Sequence, residues 1–246
     1  MPHFFVSPKS IRAGRFVLSV EESGHLARVL RKKAGDEIGL FDGVNHSYRG
    51  VLEVVTPERV EGRILAEAST AEEPYTLRLF QAVPKGDAFE WILEKATELG
   101  VAEIVPLQTR RSVAVVPADR WAAKKARWEK IVRAASAQCG RVEVPPISVP
   151  VDVAGALARL GPGETSLIPW EGEMERTLKA ALASVDRVGR RPVVNVMIGP
   201  EGGFDPGEVA QVRVAGVVPV TLGPRILRTE TAGIFAASAI FYELGL

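Results

Sequence analysis

Residues 193–212, VVNVMIGPEGGFDPGEVAQV, and residues 217–241, VVPVTLGPRILRTETAGIFAASAIF, carry one plan twice. Each opens on a short apolar, β-branched run with little alternation, the pattern of a strand covered on both faces in a parallel sheet. Each run stops at a glycine-containing turn and leads toward a helix. In the first, Val193–Ile198 ends at Gly199-Pro200-Glu201-Gly202-Gly203, and Asp205 before Pro206 is an N-cap with proline at the first helical position. In the second, a turn at Gly223-Pro224 and a polar segment feed an apolar helix from about Thr231. These patterns predict an α/β fold in which two strand ends face one crevice, the place where open α/β sheets bind ligands.

Gly199, Gly202 and Gly203 fit a tight turn, and they equally fit close approach of a ligand to main-chain N–H and C=O groups. Their spacing is neither G-x-G-x-x-G nor a phosphate loop ending in GK[ST], so neither label applies. The partner segment 222–232, LGPRILRTETA, tips the balance toward a ligand. It sets Arg225, Arg228 and Glu230 beside Thr229 and Thr231 between two apolar elements, where charge is costly unless paired or used.

IGPEGGF (198–204) together with LGPRILRTETA resembles the bacterial 16S ribosomal RNA (uracil-N3)-methyltransferase family, part of the SPOUT group of knotted methyltransferases. HLARVLRKKAGDEIGLFDG (25–43), KATELGV (95–101) and AQCGR (137–141) fit the same family, so the resemblance runs nearly end to end. It implies a PUA-like RNA-binding β-barrel over residues 1–70. It further implies an α/β methyltransferase domain over 74–246 with a parallel sheet, tied in a trefoil knot and paired as a homodimer. S-adenosylmethionine is the implied methyl donor, without a metal, and 16S rRNA within the small ribosomal subunit is the implied partner. The candidate cofactor residues are Pro169, Trp170, Ile198, Gly199, Gly202, Gly203, Leu222, Gly223, Ile226, Leu227, Thr229, Thr231 and Ala232. Arg225 and Arg228 are candidates for stabilising a uracil anion, with Glu201 or Glu230 as proton acceptors or as their ion-pair partners. Other readings are a non-catalytic RNA-binding assembly factor, and a methyltransferase of this fold acting on tRNA or on a ribose hydroxyl.

Composition sets bounds on these expectations. With 246 residues, 46% hydrophobic and 25% charged, the chain reads as globular and long enough for two modest domains. A net charge of +1 gives no global nucleic-acid signature, so local charge must carry that argument. No run reaches the roughly 18 apolar residues of a membrane span, and MPHFFVSPKS lacks a signal-peptide core, which predicts a cytoplasmic protein. The single Cys139 excludes an internal disulfide and a cysteine-cluster metal site.

Taken in order, residues 1–70 predict a small β-rich domain with strands at Phe16–Ser19, Glu37–Gly43 and Ser47–Val55 and a hairpin at Asp42-Gly43. Between the first two, His25, Leu26, Val29 and Leu30 form one predicted helical face, leaving Arg28, Arg31, Lys32 and Lys33 outside. With Arg12 and His25, the exposed Arg28, Arg31 and Lys32 make the first candidate RNA patch. The family's initial Arg before an aromatic pair is replaced by His3 before Phe4-Phe5, which withholds an RNA role from that position. Residues 66–75 read as a linker, then LRLFQAVPKGDAFEWILEKATELGV as strand, turn and helix with Gly100 as its stop, and EIVPL as the next strand. The span 110–141 is the most basic, net +7, and begins with Arg110 and Arg111, the second RNA candidates. Trp121, Trp128, Ile131, Val132 and Ala135 recur at helical spacing there and predict a buried stripe. TSLIPWEGE reads as a strand of the same sheet, ending beside the glycine turns, with Trp170 as a cofactor wall or as packing. The last helix, apolar over much of its circumference, fits a second subunit or its own sheet.

Overall fold

In a computed structural model, the structure describes residues 2–69, 73–114, 118–187 and 191–245. The chain divides into two units, Met1–Glu72 with Arg133–Val144, and Glu73–Val132 with Pro145–Leu246.

The first unit carries β1 (His3–Phe5), β2 (Ile11–Arg12), β3 (Arg15–Val17), α1 (Val20–Gly24), β4 (Glu37–Phe41), β5 (His46–Val55) and β6 (Val60–Ser69). Its mixed sheet runs β1-β4-β5-β6-β3-β2, with β1 parallel to β4 and the other pairs antiparallel. Alternation puts one side chain in two inward, and Phe4, Phe16, Leu18, Leu26, Ile38, Leu40, Leu52 and Val60 close the core. The β4–β5 hairpin turns where expected. Buried Asp42 caps it, its Oδ1 accepting the N–H groups of Val44 (2.9 Å), Asn45 (3.1 Å) and His46 (3.1 Å). Burial raises the Asp42 pKa, but these N–H groups and the His46 ring outweigh it and hold the carboxyl below its usual range. Residues 133–144 belong here because Val144 N–H donates to Gly43 O (3.0 Å) and the Arg133 guanidinium lies 4.3 Å from the Phe5 ring centre.

Two expectations for this unit need correction. The helical face of His25, Leu26, Val29 and Leu30 is not formed: Leu26 is buried, whereas His25 is exposed and Val29 and Leu30 are 66% and 39% exposed. The helix widens to a π-turn over His25–Val29, with Leu30 N–H donating to His25 O (3.2 Å), and the wider turn breaks the 3.6-residue period on which that face depended. The linker expected from residue 66 begins later. Ala66–Ser69 continue β6 and pair with His46–Arg49, a two-sided polar extension that hydrophobic alternation does not reveal. Residues 70–72 of that linker lie outside the described residues.

The second unit carries β7 (Thr76–Ala82), α2 (Ala88–Glu98), β8 (Glu103–Gln108), α3 (Ala118–Cys139, its last turns in the first unit), β9 (Val151–Asp152), α4 (Val153–Leu157), β10 (Thr165–Pro169), α5 (Leu178–Ala183), β11 (Val193–Ile198), α6 (Pro206–Val214), β12 (Val218–Val220) and α7 (Thr229–Gly245). All six strands are parallel, in the order β12-β10-β11-β7-β8-β9. The apolar runs read as doubly covered strands are so covered. Phe80, Val105, Ile168 and Met197 pack under α4 and α6, through Val153, Ala156, Val209 and Val212. The other face takes α7, which also packs on α2 and α5. In α3, Val132 and Ala135 are buried and Trp128 stacks on Phe89 at 4.5 Å, while Trp121 and Ile131 are only half-buried. Asp205 caps α6 with a full capping box to Glu208, as its position before Pro206 predicts. Helix α7 starts at Thr229, two residues before the expected position.

Where the strands begin, a buried polar network crosses them. Arg78 (β7) donates to Glu164 Oε1 (3.0 Å), Asn195 Nδ2 (β11) donates to Glu164 Oε2 (2.9 Å) and to Ser166 Oγ (3.1 Å). Burial raises the Glu164 pKa, but the Gly161 N–H, Asn195 and Arg78 outweigh it and lower the carboxyl below 4.5. Among the described residues no helix is long and apolar enough to cross a membrane, and no cluster of His, Cys, Asp and Glu could hold a metal.

Candidate cofactor site at the strand ends

Because β10, β11 and β12 are parallel neighbours, their carboxyl ends, Pro169, Ile198 and Val220, reach the same sheet edge. The connections leaving them bond to one another. Trp170 N–H donates to Val220 O (3.1 Å), and Thr221 N–H to Arg176 O (2.8 Å). Thr229 Oγ1 donates to Gly199 O (2.5 Å), tying the start of α7 to the exit of β11. These bonds bring the exits of β10, β11 and β12 and the start of α7 together at the carboxyl edge of the sheet.

The bend after β11 is held from three sides. Gly203 N–H donates to Pro200 O (2.9 Å), and Gly203 sits at φ +67°, where a side chain is strained and a Cβ would stand 2.6 Å from Glu171 Oε1. Arg111 Nη1 donates to Gly202 O (3.0 Å), Arg110 N–H to Glu208 Oε1 (2.8 Å) and Arg110 Nη1 to Asp205 Oδ1 (3.1 Å). Glu201 Oε1 accepts the Lys85 N–H (2.9 Å) from the turn after β7. Gln81, fully buried at the end of β7, donates through Nε2 to Ala82 O (3.1 Å) and Thr229 Oγ1 (3.0 Å).

Of the candidate cofactor residues, Ile198 and Thr229 are buried, Pro169, Trp170, Gly199, Gly203, Leu222, Leu227 and Ala232 half-buried, and Gly202, Gly223, Ile226 and Thr231 exposed. Ile226 is 89% exposed, so its side chain is almost wholly open to solvent. Trp170 has the Arg213 guanidinium 5.3 Å from its ring centre. Arg225 and Arg228 are exposed and make no ion pair with a described residue, so the expected pairing with Glu201 or Glu230 is not formed. Glu201 is engaged by Lys85 instead, because the β7 turn lies beside it.

Among the candidate RNA residues, Arg28 (Nη2 to Glu58, 3.7 Å), Arg31 and Lys32 (Nζ to Asp36, 3.7 Å) follow one another on the segment after Leu26. His25 stacks edge-on against Phe4 (6.1 Å) and Arg12 is exposed on β2. Arg110 and Arg111 turn their side chains onto the 202–205 bend. Sequence reasoning passed over Gln81 and Glu171 as site residues. An amide inside the apolar run LRLFQAV was the available signal for Gln81, since burial there demands partners. For Glu171 the signal was its place at the end of TSLIPWEGE, beside the glycine turns.

The sequence and the fold recur in known proteins. Residues 71–241 match the model of an RNA methyltransferase domain, and residues 18–65 that of an RNA methyltransferase PUA domain. The chain is 31% identical over 236 residues to ribosomal RNA small subunit methyltransferase E of Bacillus subtilis, covering 95% of this chain and 92% of that one. The Mycobacterium tuberculosis protein of the same name is 32% identical over 228 residues, covering 91% and 85%. The crystal structure of the Neisseria gonorrhoeae ribosomal RNA small subunit methyltransferase E, bound to S-adenosylmethionine, superposes with a TM-score of 0.85 at 34% identity, covering 98% of this chain and 97% of that one. A Legionella pneumophila protein solved with the same cofactor gives 0.84 at 30%, covering 98% and 96%. With the domain model spanning well over half its length and relatives matched almost end to end, the chain belongs to the RNA methyltransferase family.

Proposed function

We propose that this protein transfers a methyl group from S-adenosylmethionine to N3 of a uridine in 16S rRNA of the small ribosomal subunit, in the cytoplasm. The carrying observation is the Thr229–Gly199 hydrogen bond, which ties the glycine bend after β11 to the start of α7, the helix that follows the second bend, at the carboxyl edge of a parallel sheet. Relatives named ribosomal RNA small subunit methyltransferase E, and neighbours holding S-adenosylmethionine, support the substrate class and the cofactor. The residue types at the bends suit that cofactor: Ile198, Leu222 and Leu227 supply apolar surface of the kind an adenine packs on, and the glycines leave main-chain groups open for hydrogen bonds. When bound, the cofactor supplies a methyl on a positively charged sulfur, so transfer needs no metal.

The protein's own residues deal with the uracil. The N3–H bond must break before the N3–methyl bond forms, and the charge released spreads over O2 and O4. Arg225 and Arg228, exposed and with no carboxylate partner among the described residues, are the groups proposed to hold that charge. Glu201, held by the Lys85 N–H, and the half-buried Glu230 are the carboxylates available for the proton. The bends align methyl and N3, which supplies much of the acceleration. Residues 1–70, with Arg12, His25, Arg28, Arg31 and Lys32, grip the rRNA, and residues 74–246 carry the knotted catalytic domain. A homodimer is part of the proposal. Phe235 and Tyr242, 45% and 72% exposed on α7, are apolar surface for a second copy to cover.

Calorimetric titration with S-adenosylmethionine separates this enzyme from a non-catalytic RNA-binding factor. Methyl transfer to naked 16S rRNA and to assembled small subunits, followed by nucleoside analysis, tests the product. 3-Methyluridine supports the assignment, and a methylated ribose or an unmodified subunit overturns it. Arg228→Ala should keep cofactor affinity within about three-fold and lower turnover by roughly 100-fold, the usual scale for losing one charge-stabilising donor. Unchanged turnover removes Arg228 from the catalytic list.

A further inference from the structure

We propose that Gln81 is a positioning residue for the cofactor site: through Thr229 it fixes the Gly199 carbonyl and so sets the gap between the two glycine bends. The proposal rests on the methyltransferase reading above.

Gln81 stands at the end of an apolar strand, in register with Ile198 on one side and Pro106 on the other, and is 0% exposed. A leucine would fill that space without the cost of burying an amide. The amide is used instead for two bonds, to Ala82 O and to Thr229 Oγ1. Its orientation is not arbitrary. Ala82 O can only accept, so the nitrogen must face it, and this leaves the second amide proton for Thr229. With one lone pair of Thr229 Oγ1 so occupied, the hydroxyl proton points to Gly199 O.

Two further features of the fold are costs accepted for this link. Gln81 Oε1 is buried with no hydrogen-bond partner. Gly233 lies one turn into α7, where glycine weakens a helix, yet a Cβ there would stand 2.4 Å from that same oxygen. An unpaired acceptor and a helical glycine are both explained if the relay Gln81–Thr229–Gly199 is what must be preserved. Gly199 is the residue at which β11 gives way to the bend, and Thr229 opens the helix that follows the other bend. Removing the relay leaves both bends present but lets their separation drift.

The test is calorimetric binding of S-adenosylmethionine to the full-length protein, with steady-state methylation alongside. Gln81→Leu should weaken binding by about ten-fold, the scale of one lost buried link, and raise the KM for S-adenosylmethionine to match. A role in stability alone would lower the active fraction and leave KM unchanged, and that result overturns the proposal. Thr229→Val should reproduce the loss, and Thr229→Ser, which keeps the hydroxyl, should restore affinity to within about two-fold. The double variant Gln81→Leu, Thr229→Val should bind no worse than either single one, because both break one relay. Losses that multiply overturn it. Should the wild-type protein itself fail to bind S-adenosylmethionine, the functional reading falls and this inference with it; wild-type binding with an unaffected Gln81→Leu variant overturns the inference alone.

Discussion

Gly233→Ala puts two opposing magnitudes in direct competition. In an ordinary helix interior this substitution gains about 1 kcal/mol, because alanine loses less backbone entropy than glycine. Here the new Cβ would stand 2.4 Å from Gln81 Oε1 and 3.9 Å from Ile198 Cγ1, so the oxygen would have to retreat by about 0.6 Å to reach even 3.0 Å. It has little freedom to do so, since the amide nitrogen is held by Ala82 O and Thr229 Oγ1 in a site closed to solvent. Overpacking of this kind costs roughly 1–3 kcal/mol, and a buried amide pulled from its partners roughly another 1–3 kcal/mol. The clash wins. The expected net loss is about 2 kcal/mol, or roughly 4–8 °C in Tm for a unit of this size. Tryptophan fluorescence is the suitable probe, because Trp91, Trp121, Trp128 and Trp170, all four in the chain, belong to the same unit as Gly233 and report on its melting alone. In a Gln81→Ala background, which removes the obstructing amide, the same change at 233 should turn stabilising. A Tm at or above wild type for Gly233→Ala alone would refute the close packing described for α7 and β7.

Acid should weaken the second unit through Glu164. Its folded pKa lies below the unfolded value, so the stabilisation is present above pH 4.5 and is lost as pH falls through the lowered folded value. Glu164→Gln should therefore flatten stability against pH below 4.5, and an unchanged acid limb in urea titrations argues against the network. For the first unit, replacing Arg28, Arg31 and Lys32 together with alanine should reduce the slope of log affinity against log salt by about 2–3 in RNA binding, roughly 0.7–0.9 for each phosphate no longer neutralised. An unaltered slope would remove that segment from the RNA interface.

The α/β part was legible because doubly covered parallel strands declare themselves as uninterrupted apolar runs. Val193–Ile198 appears in the sheet as read, the strands read in TSLIPWEGE and EIVPL appear there as Thr165–Pro169 and Glu103–Gln108, and Asp205-Pro206 announced its helix. The polar end of β6 was not legible, since Ala66–Ser69 bury neither face and owe their conformation to backbone pairing with β5. Nor was the π-turn at His25–Val29, which costs the helix its period where the pattern alone would continue it. At the candidate site the glycines were visible as turns. What they turn against was hidden, because Arg111 on Gly202 and Glu171 beside Gly203 meet across long sequence separations that no local pattern encodes. Arg110 and Arg111 illustrate the same limit. Their charge was legible, but the contacts of their guanidinium groups with Asp205 and Gly202 were not.

Helix α3 is shared between the units, passing from one to the other after Val132, and the chain returns after Val144. Three peptide bonds, not one, therefore join the two parts. A gene fragment cut near residue 72 would strip the amino-terminal module of the strip that donates to Gly43 and covers Phe5. To move that module intact, a graft has to carry residues 133–144 along with the amino-terminal segment.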